Sequence, residues 1–346
     1  MIEYSTDRKD IMKRTGYAAA LLLPLIFLCS CGVQSASRDM FAMDTVISVQ
    51  AHGNNSNAAV NAAADRIKEL EKLFSVTDAD SDISHINASG TAEVSGSTEY
   101  VLTEALKVCA DTDGALDITI YPVLREWGFT TSEYRVPTND EIAAALAETG
   151  YERVSVSGNT VTVPAGYMLD LGSCAKGYAG DEALAAMREA GVTSALVNLG
   201  GNVAALGTKP DGSDWSVGIA NPFSPNELLG IVKVHDKSVV TSGGYQRYFT
   251  DEDGNTYIHI LDPATGRPAG SGLVSVTVIG ENGLLCDALS TALFVMGKDK
   301  ATGYRQEHGG FGMVLVTADG RIYITDDIAG TFTNKTEMPI EVIHEQ

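Results

Sequence analysis

The sequence predicts an α+β fold, and three patterns carry that expectation. Short alternating strands recur along the chain, with hairpin turns at Ser157-Gly158-Asn159 and Asp319-Gly320. Helical periodicities interrupt them too irregularly for a doubly wound parallel sheet. No G-x-G-x-x-G opens a helix, so no NAD-type fold is expected.

Residues 1–30 read as an export address. Arg8, Lys9, Lys13 and Arg14 precede a nearly unbroken apolar run from Tyr17 to Leu28 that is short for a membrane span and contains Pro24. Leu28-Cys29-Ser30-Cys31 then looks like a bacterial lipobox, in which Cys31 is lipidated; a plain signal peptide with incidental cysteines is the alternative. The expected organisation is a lipoprotein signal over residues 1–30, a tether over 31–38 and a body over 39–346. The formal charge of the chain is −21, and loss of the four basic and three acidic groups of residues 1–30 takes it to −22. Such a surface repels nucleic acid and anionic lipid, which leaves the acyl group as the membrane attachment. Past Cys31 only Cys109, Cys174 and Cys286 remain, with no CxxC and no His-rich metal pattern.

The body opens with a strand, Phe41 to Val49, followed by a helix from about Asn57 to Phe74 and a polar segment, Ser81 to Asn87. A second helix starts near Ser97. Asp113 to Pro122 is an apolar run interrupted by Asp117, a carboxylate that must be hydrogen-bonded or exposed in a cleft, or else caps the turn at Gly114. Trp127-Gly128-Phe129 reads as core, with an exposed aromatic surface as the alternative. Thr138 and Glu141 have capping-box spacing, and Gly150 is expected to end that helix. Val154 to Val163 reads as a hairpin, and Val314 to Thr325 as the final one.

The chain is organised around Leu169-Asp170-Leu171-Gly172-Ser173-Cys174-Ala175-Lys176-Gly177-Tyr178-Ala179-Gly180-Asp181, read as a strand end, a tight turn and a helix start. Small residues there allow close approach to the backbone, free amides at a helix start attract phosphate, and Lys176 adds a cation. An ordinary turn with a surface Lys gives the same pattern. Asn198-Leu199-Gly200-Gly201-Asn202 suggests a tight polar turn, or a glycine bulge. Thr241 to Tyr248 joins flexible backbone, hydroxyls, a cation and aromatics. His259 precedes an Asp262-Pro263 turn and is a candidate general base or a structural His. In the helix begun by Cys286, Asp287, Ser290 and Thr291 can line one face. Carboxylate plus hydroxyl oxygens suit a hard cation such as magnesium; an N-cap followed by helix-bonded hydroxyls is the other reading.

Taken together, Met43-Asp44-Thr45, the Ser81, Gly114 and Asp170 segments, the Asn198 turn, Thr241-Ser242-Gly243, His259 to Gly266 and Asp287 to Thr291 resemble the ApbE family of flavin transferases. The resemblance spans essentially the whole exported body. It implies a two-lobed catalytic unit with antiparallel-rich sheets, packed helices and the nucleotide between the lobes. The implied reaction is magnesium-dependent transfer of FMN from FAD to a Thr or Ser hydroxyl of an acceptor protein, a membrane or exported redox protein, with release of AMP. By the same resemblance Met43, Ala115, Leu116, Asp117, Asp170, Lys176 and Ile260 match flavin-nucleotide contacts. Asp287 and Thr291 match the metal ligands, with Ser290 and the backbone carbonyl of Ser173 as further candidates, and His259 matches the residue that deprotonates the acceptor. Thr77 departs from the pattern, standing where many relatives carry a Tyr, and Cys174 and Cys286 are assigned no chemistry. Hydrolysis of FAD to FMN and AMP, and a flavin-binding lipoprotein without catalysis, are the rival functions. The implied location is the outer face of the bacterial cytoplasmic membrane or its periplasmic side.

Overall fold

A computed structural model describes residues 33–131 and 133–344; the export address and Cys31 lie outside the described residues. The residues from Val33 onward form one compact unit. In chain order, β1 (Ser35–Ala42) and β2 (Thr45–His52) form a hairpin. Helices α1 (Ser56–Phe74) and α2 (Asp82–Ser89) follow, then β3 (Thr91–Glu93) and α3 (Gly96–Asp111). After α4 (Tyr121–Glu126) and α5 (Asn139–Leu146) come the small strands β4 (Ser155–Ser157) and β5 (Thr160–Thr162), and then α6 (Ala175–Glu189). A run of strands follows: β6 (Ser194–Leu199), β7 (Asn202–Leu206), β8 (Trp215–Asn221), β9 (Ser224–Val234), β10 (Ser238–Gly243), β11 (Tyr248–Thr250), β12 (Thr256–Ile258), β13 (Leu261–Asp262), β14 (Arg267–Pro268) and β15 (Leu273–Gly280). The chain finishes with α7 (Gly283–His308), β16 (Gly312–Thr317), β17 (Ile322–Thr325), α8 (Asp326–Ala329), β18 (Phe332–Asn334) and β19 (Ile340–Ile343).

Nine strands build the central sheet in the order β1-β2-β6-β7-β10-β15-β16-β17-β19. Every adjacent pair is antiparallel except β17 with β19. Strand alternation divides its side chains between two cores. Val240, Val276, Val278, Met313 and Leu315 face the helices, packing with Ile67 and Leu70 of α1, Ala179 and Ala183 of α6 and Leu289 and Leu293 of α7. Val203, Val239, Ile279, Val314 and Val316 face the other way, onto β8, β9 and β18. A smaller lobe has its own core of Val123, Trp127, Phe129, Ile142, Ala145 and Leu261, and Trp127 Nε1 donates to the Gly266 carbonyl at 2.8 Å. Neighbouring residues are split between the cores, Ile260 in the main one and Leu261 in the smaller, so the chain crosses between lobes just past His259, from Ile260 to Leu261.

The α+β class holds, but several boundaries move. The expected single strand from Phe41 is a hairpin, because Met43 and Asp44 both take positive φ, 51° and 58°, and reverse the chain. β1 begins at Ser35, so residues 35–38, expected as tether, are strand. Ser81 is an N-cap, accepting from Ser84 N, so the polar segment after it is helix α2. The capping box of Thr138 and Glu141 is present, yet α5 stops at Leu146, and Gly150 instead precedes a 3₁₀ turn. The strand expected before the central stretch is a single parallel bridge, Met168 to Ile120. Gly200 and Gly201 make the β6–β7 turn, and β18 and β19 follow the hairpin expected to be last.

Helices α6 and α7 cross closely enough to exclude any side chain at the contact. A Cβ on Gly177 would enter the van der Waals shell of the Gly283 carbonyl and lie 2.7 Å from Asp287 Cβ. Alanine in a helix is otherwise favoured over glycine by ~1 kcal/mol, so the clash decides the sign. Gly177→Ala is expected to destabilise the fold by about 1–3 kcal/mol, the usual cost of overpacking. Urea denaturation checks this; a midpoint equal to or above wild type contradicts the crossing.

Candidate active site

Two carboxylates tie the crossing helices together in opposite directions. Asp287 of α7 accepts from Gly177 N at 2.8 Å. Asp181 of α6 accepts from Gly283 N at 2.8 Å and Leu284 N at 3.0 Å, bonding donors at the start of α7. Burial pushes the Asp181 carboxyl up to about 6 against the pull of those amides. The sequence placed Asp181 in the central motif without a role, since its partners lie about a hundred residues on.

Gly177 N–H goes to Asp287 Oδ2, and α6 begins only at Ala175, so the Ser173 carbonyl stands outside the helical ladder. The expectation of free amides at this helix start is therefore corrected at Gly177, whose amide is taken by a carboxylate of the chain itself. Asp287 is buried; burial raises its carboxyl, opposed by Lys176, the Gly177 N–H and Asn202. Thr291 is half-buried one turn further along α7 on the same face. Ser290 is fully buried and donates its proton to the Asp287 carbonyl at 2.8 Å.

Lys176 is the electrostatic hub. Its charge acts on Asp170, Asp287 and His259, and its Nζ donates to the Gly172 carbonyl at 3.3 Å. Asp170 accepts from Gly172 N at 2.8 Å, and burial raises its carboxyl against the pull of that amide, Lys176 and Arg247. Asp170 N donates to the Ile118 carbonyl, which joins the central motif to the Asp117 segment. Both Asp117 oxygens are engaged: Oδ1 accepts from Thr119 N and Oγ1, and Oδ2 from Tyr151 N. This carboxylate holds the loop containing Ala115 and Leu116 in shape, satisfying the hydrogen-bond requirement read from the sequence.

His259 faces the ring of Phe129 edge-on, with centroids 6.3 Å apart. Its Nδ1 lies 3.0 Å from the Arg247 carbonyl, which only accepts, so Nδ1 carries the proton and Nε2 keeps a free lone pair. Burial, with Arg247 and Lys176 nearby, pushes the imidazole down to about 4. A depressed folded pKa means that neutrality stabilises the fold above about pH 6.5 and that this contribution is lost as pH falls toward 4. NMR titration of the ring, assigned by comparison with His259→Asn, is expected to show no protonation between about pH 7.5 and 5.5; a midpoint near the ordinary imidazole value contradicts it. Arg247 was singled out in the sequence only as a cation; here it donates to the Phe129 carbonyl at 3.2 Å and its own carbonyl fixes the His259 tautomer.

Ile260 is buried beside His259, its carbonyl accepting from Ala269 N. Met43 N is held by Glu71 Oε1 at 2.6 Å, in a turn whose neighbour Thr45 packs against Gly200. Thr77 bonds to Ser75 in the loop after α1. The described cysteines, Cys109, Cys174 and Cys286, are buried and free. Among the described residues no group of three His, Cys, Asp or Glu side chains forms a metal cage. The candidate ligands named with Asp287, the Thr291 hydroxyl and the Ser173 carbonyl, would offer oxygen alone, a donor chemistry that suits magnesium rather than zinc.

A profile described as the ApbE family matches residues 43–315. The chain belongs to the ApbE family. It is 34% identical to the FAD:protein FMN transferase of Vibrio cholerae over 73% of this chain and 78% of that protein. It is also 32% identical to the FAD:protein FMN transferase of Treponema pallidum, over 85% and 88%. Among solved structures, the ApbE protein of Thermotoga maritima superposes with a TM-score of 0.80 at 34% identity, covering 85% of this chain and 98% of that one. The flavinyl transferase ApbE of Pseudomonas stutzeri gives 0.76 at 30%, covering 87% and 98%. The two-lobed α+β architecture is thus that of the ApbE family.

Proposed function

We propose that this ApbE-family chain transfers FMN from FAD to a Thr or Ser hydroxyl of an acceptor protein and releases AMP. The observation that carries this reading is His259, a neutral base with a fixed tautomer, within electrostatic reach of the same Lys176 whose charge acts on Asp287. The acceptor oxygen bonds to the FMN-side phosphorus, its proton passes to His259 Nε2, and the bond from that phosphorus to the oxygen of AMP breaks. Lys176 offsets charge on the pyrophosphate, and Asp170 and the loop of Ala115, Leu116 and Asp117, joined through the Ile118 carbonyl, hold the nucleotide. Asp287, Thr291 and the Ser173 carbonyl would hold magnesium, which supplies charge neutralisation to the pyrophosphate when bound. Positioning and electrostatics of this kind carry most of phosphoryl transfer.

Incubation with FAD, Mg²⁺ and a candidate acceptor, followed by mass measurement of the acceptor and assay of free FMN, tests the reading. An acceptor heavier by one FMN supports transfer. Free FMN alone, with every acceptor offered, assigns hydrolysis; neither product, with FAD bound, assigns a carrier.

For location, the proposal is a lipid anchor at Cys31, an exported body and an acceptor at the same membrane face. No helix among the described residues is long and apolar enough to cross a membrane. Cys31→Ala is expected to release the body from the membrane fraction or to leave an unlipidated precursor. Unchanged acylation and fractionation contradict the anchor.

A further inference from the structure

Ser242, on β10, reaches across to α7 and touches two adjacent hydroxyls, those of Ser290 and Thr291. Its Oγ lies 2.7 Å from Ser290 Oγ and 3.1 Å from Thr291 Oγ1. The direction of the protons follows from counting donors. Ser290 has one proton and gives it to the Asp287 carbonyl, a group that only accepts. Ser290 therefore accepts from Ser242, whose single proton is spent there. Ser242 in turn accepts from Thr291. The Thr291 proton is drawn toward the strand, and the lone pairs of its oxygen are left on the side away from Ser242. Thr291 itself is half-buried, one turn along α7 from the buried Asp287 and on the same helix face.

A hydroxyl ligates a cation through a lone pair, so a Thr whose proton points at the metal is a poor ligand. We infer that Ser242 is a positioning residue that turns the Thr291 hydroxyl so that its lone pairs face the cation site beside Asp287. Ser290 serves the same end from behind. It is fully buried, its proton is committed within the helix, and its remaining capacity is to accept from Ser242. The two adjacent hydroxyls of α7 thus have different jobs, one facing the site and the other anchoring the residue that orients it.

This inference rests on the proposed magnesium-assisted reading, and its test separates the two. The apparent Mg²⁺ affinity is read from FAD fluorescence in a Mg²⁺ titration without acceptor, for wild type, Ser242→Ala, Thr291→Val and the double variant, with thermal melts checking the fold. Loss of a residue that orients a metal ligand typically costs about 10–100-fold in metal affinity, so Ser242→Ala is expected to raise the Mg²⁺ half-saturation at least about 10-fold. Because Ser242 acts through Thr291, the double variant is expected to be no weaker than Thr291→Val alone. An unchanged half-saturation in Ser242→Ala overturns the inference, as do losses that multiply in the double variant. Wild-type FAD binding indifferent to Mg²⁺ overturns the magnesium reading together with it.

Discussion

Asp287→Ala is expected to abolish turnover, by about 10³-fold or more, while the body stays folded. One neutral donor at a developing charge is worth ~10²–10³-fold, and Asp287 is the carboxylate in the set that fits magnesium. The structural cost is smaller. Removing the carboxylate leaves Gly177 N–H without its acceptor, which costs about 1–3 kcal/mol for a buried donor. Relief of the burial that raises the Asp287 carboxyl offsets part of this. Against a typical domain stability of about 5–15 kcal/mol, the fold survives. Asp287→Asn separates the two roles, since an amide oxygen still accepts from Gly177 but carries no charge. It is expected to melt close to wild type and to be nearly as inactive as Asp287→Ala. Full, metal-dependent activity in either variant would assign the ion to another acid.

The local parts of this site were legible and its long-range parts were not. The Asp287-to-Thr291 spacing placed three oxygens within reach of one helix face, and α7 forms there. For Ser290 spacing left two readings, a cation-site oxygen and a hydroxyl bonded to the preceding turn; the structure commits its proton to the Asp287 carbonyl and sets its oxygen against Ser242. The capping box of α5 was readable because its partners are three residues apart. Asp181 and Gly177 were not, since their meaning lies in Gly283 and Leu284, on a helix about a hundred residues further along the chain. The Met43 turn was missed for a different reason. Positive φ at two successive non-glycine residues runs against their preferences, and the structure holds the turn with Glu71 of α1. His259 was visible as a residue, but its tautomer depends on the Arg247 carbonyl across the β11–β12 hairpin.

His259→Asn puts the central claim to its most direct test. The ring bonds through Nδ1 to a backbone carbonyl; in the proposed mechanism Nε2 is the base, and Lys176 and the set around Asp287 offset the phosphate charge. Asn retains a side-chain donor of similar reach but has no basic lone pair near neutral pH. Loss of a general base typically costs about 10²–10⁴-fold in rate. The measurement is FAD affinity together with the rate of FMN attachment to an acceptor protein, in wild type and variant at neutral pH. The account predicts affinity within a few-fold of wild type and attachment slowed by about 10²–10⁴-fold. Attachment at the wild-type rate, or loss of FAD binding in a folded variant, would contradict it.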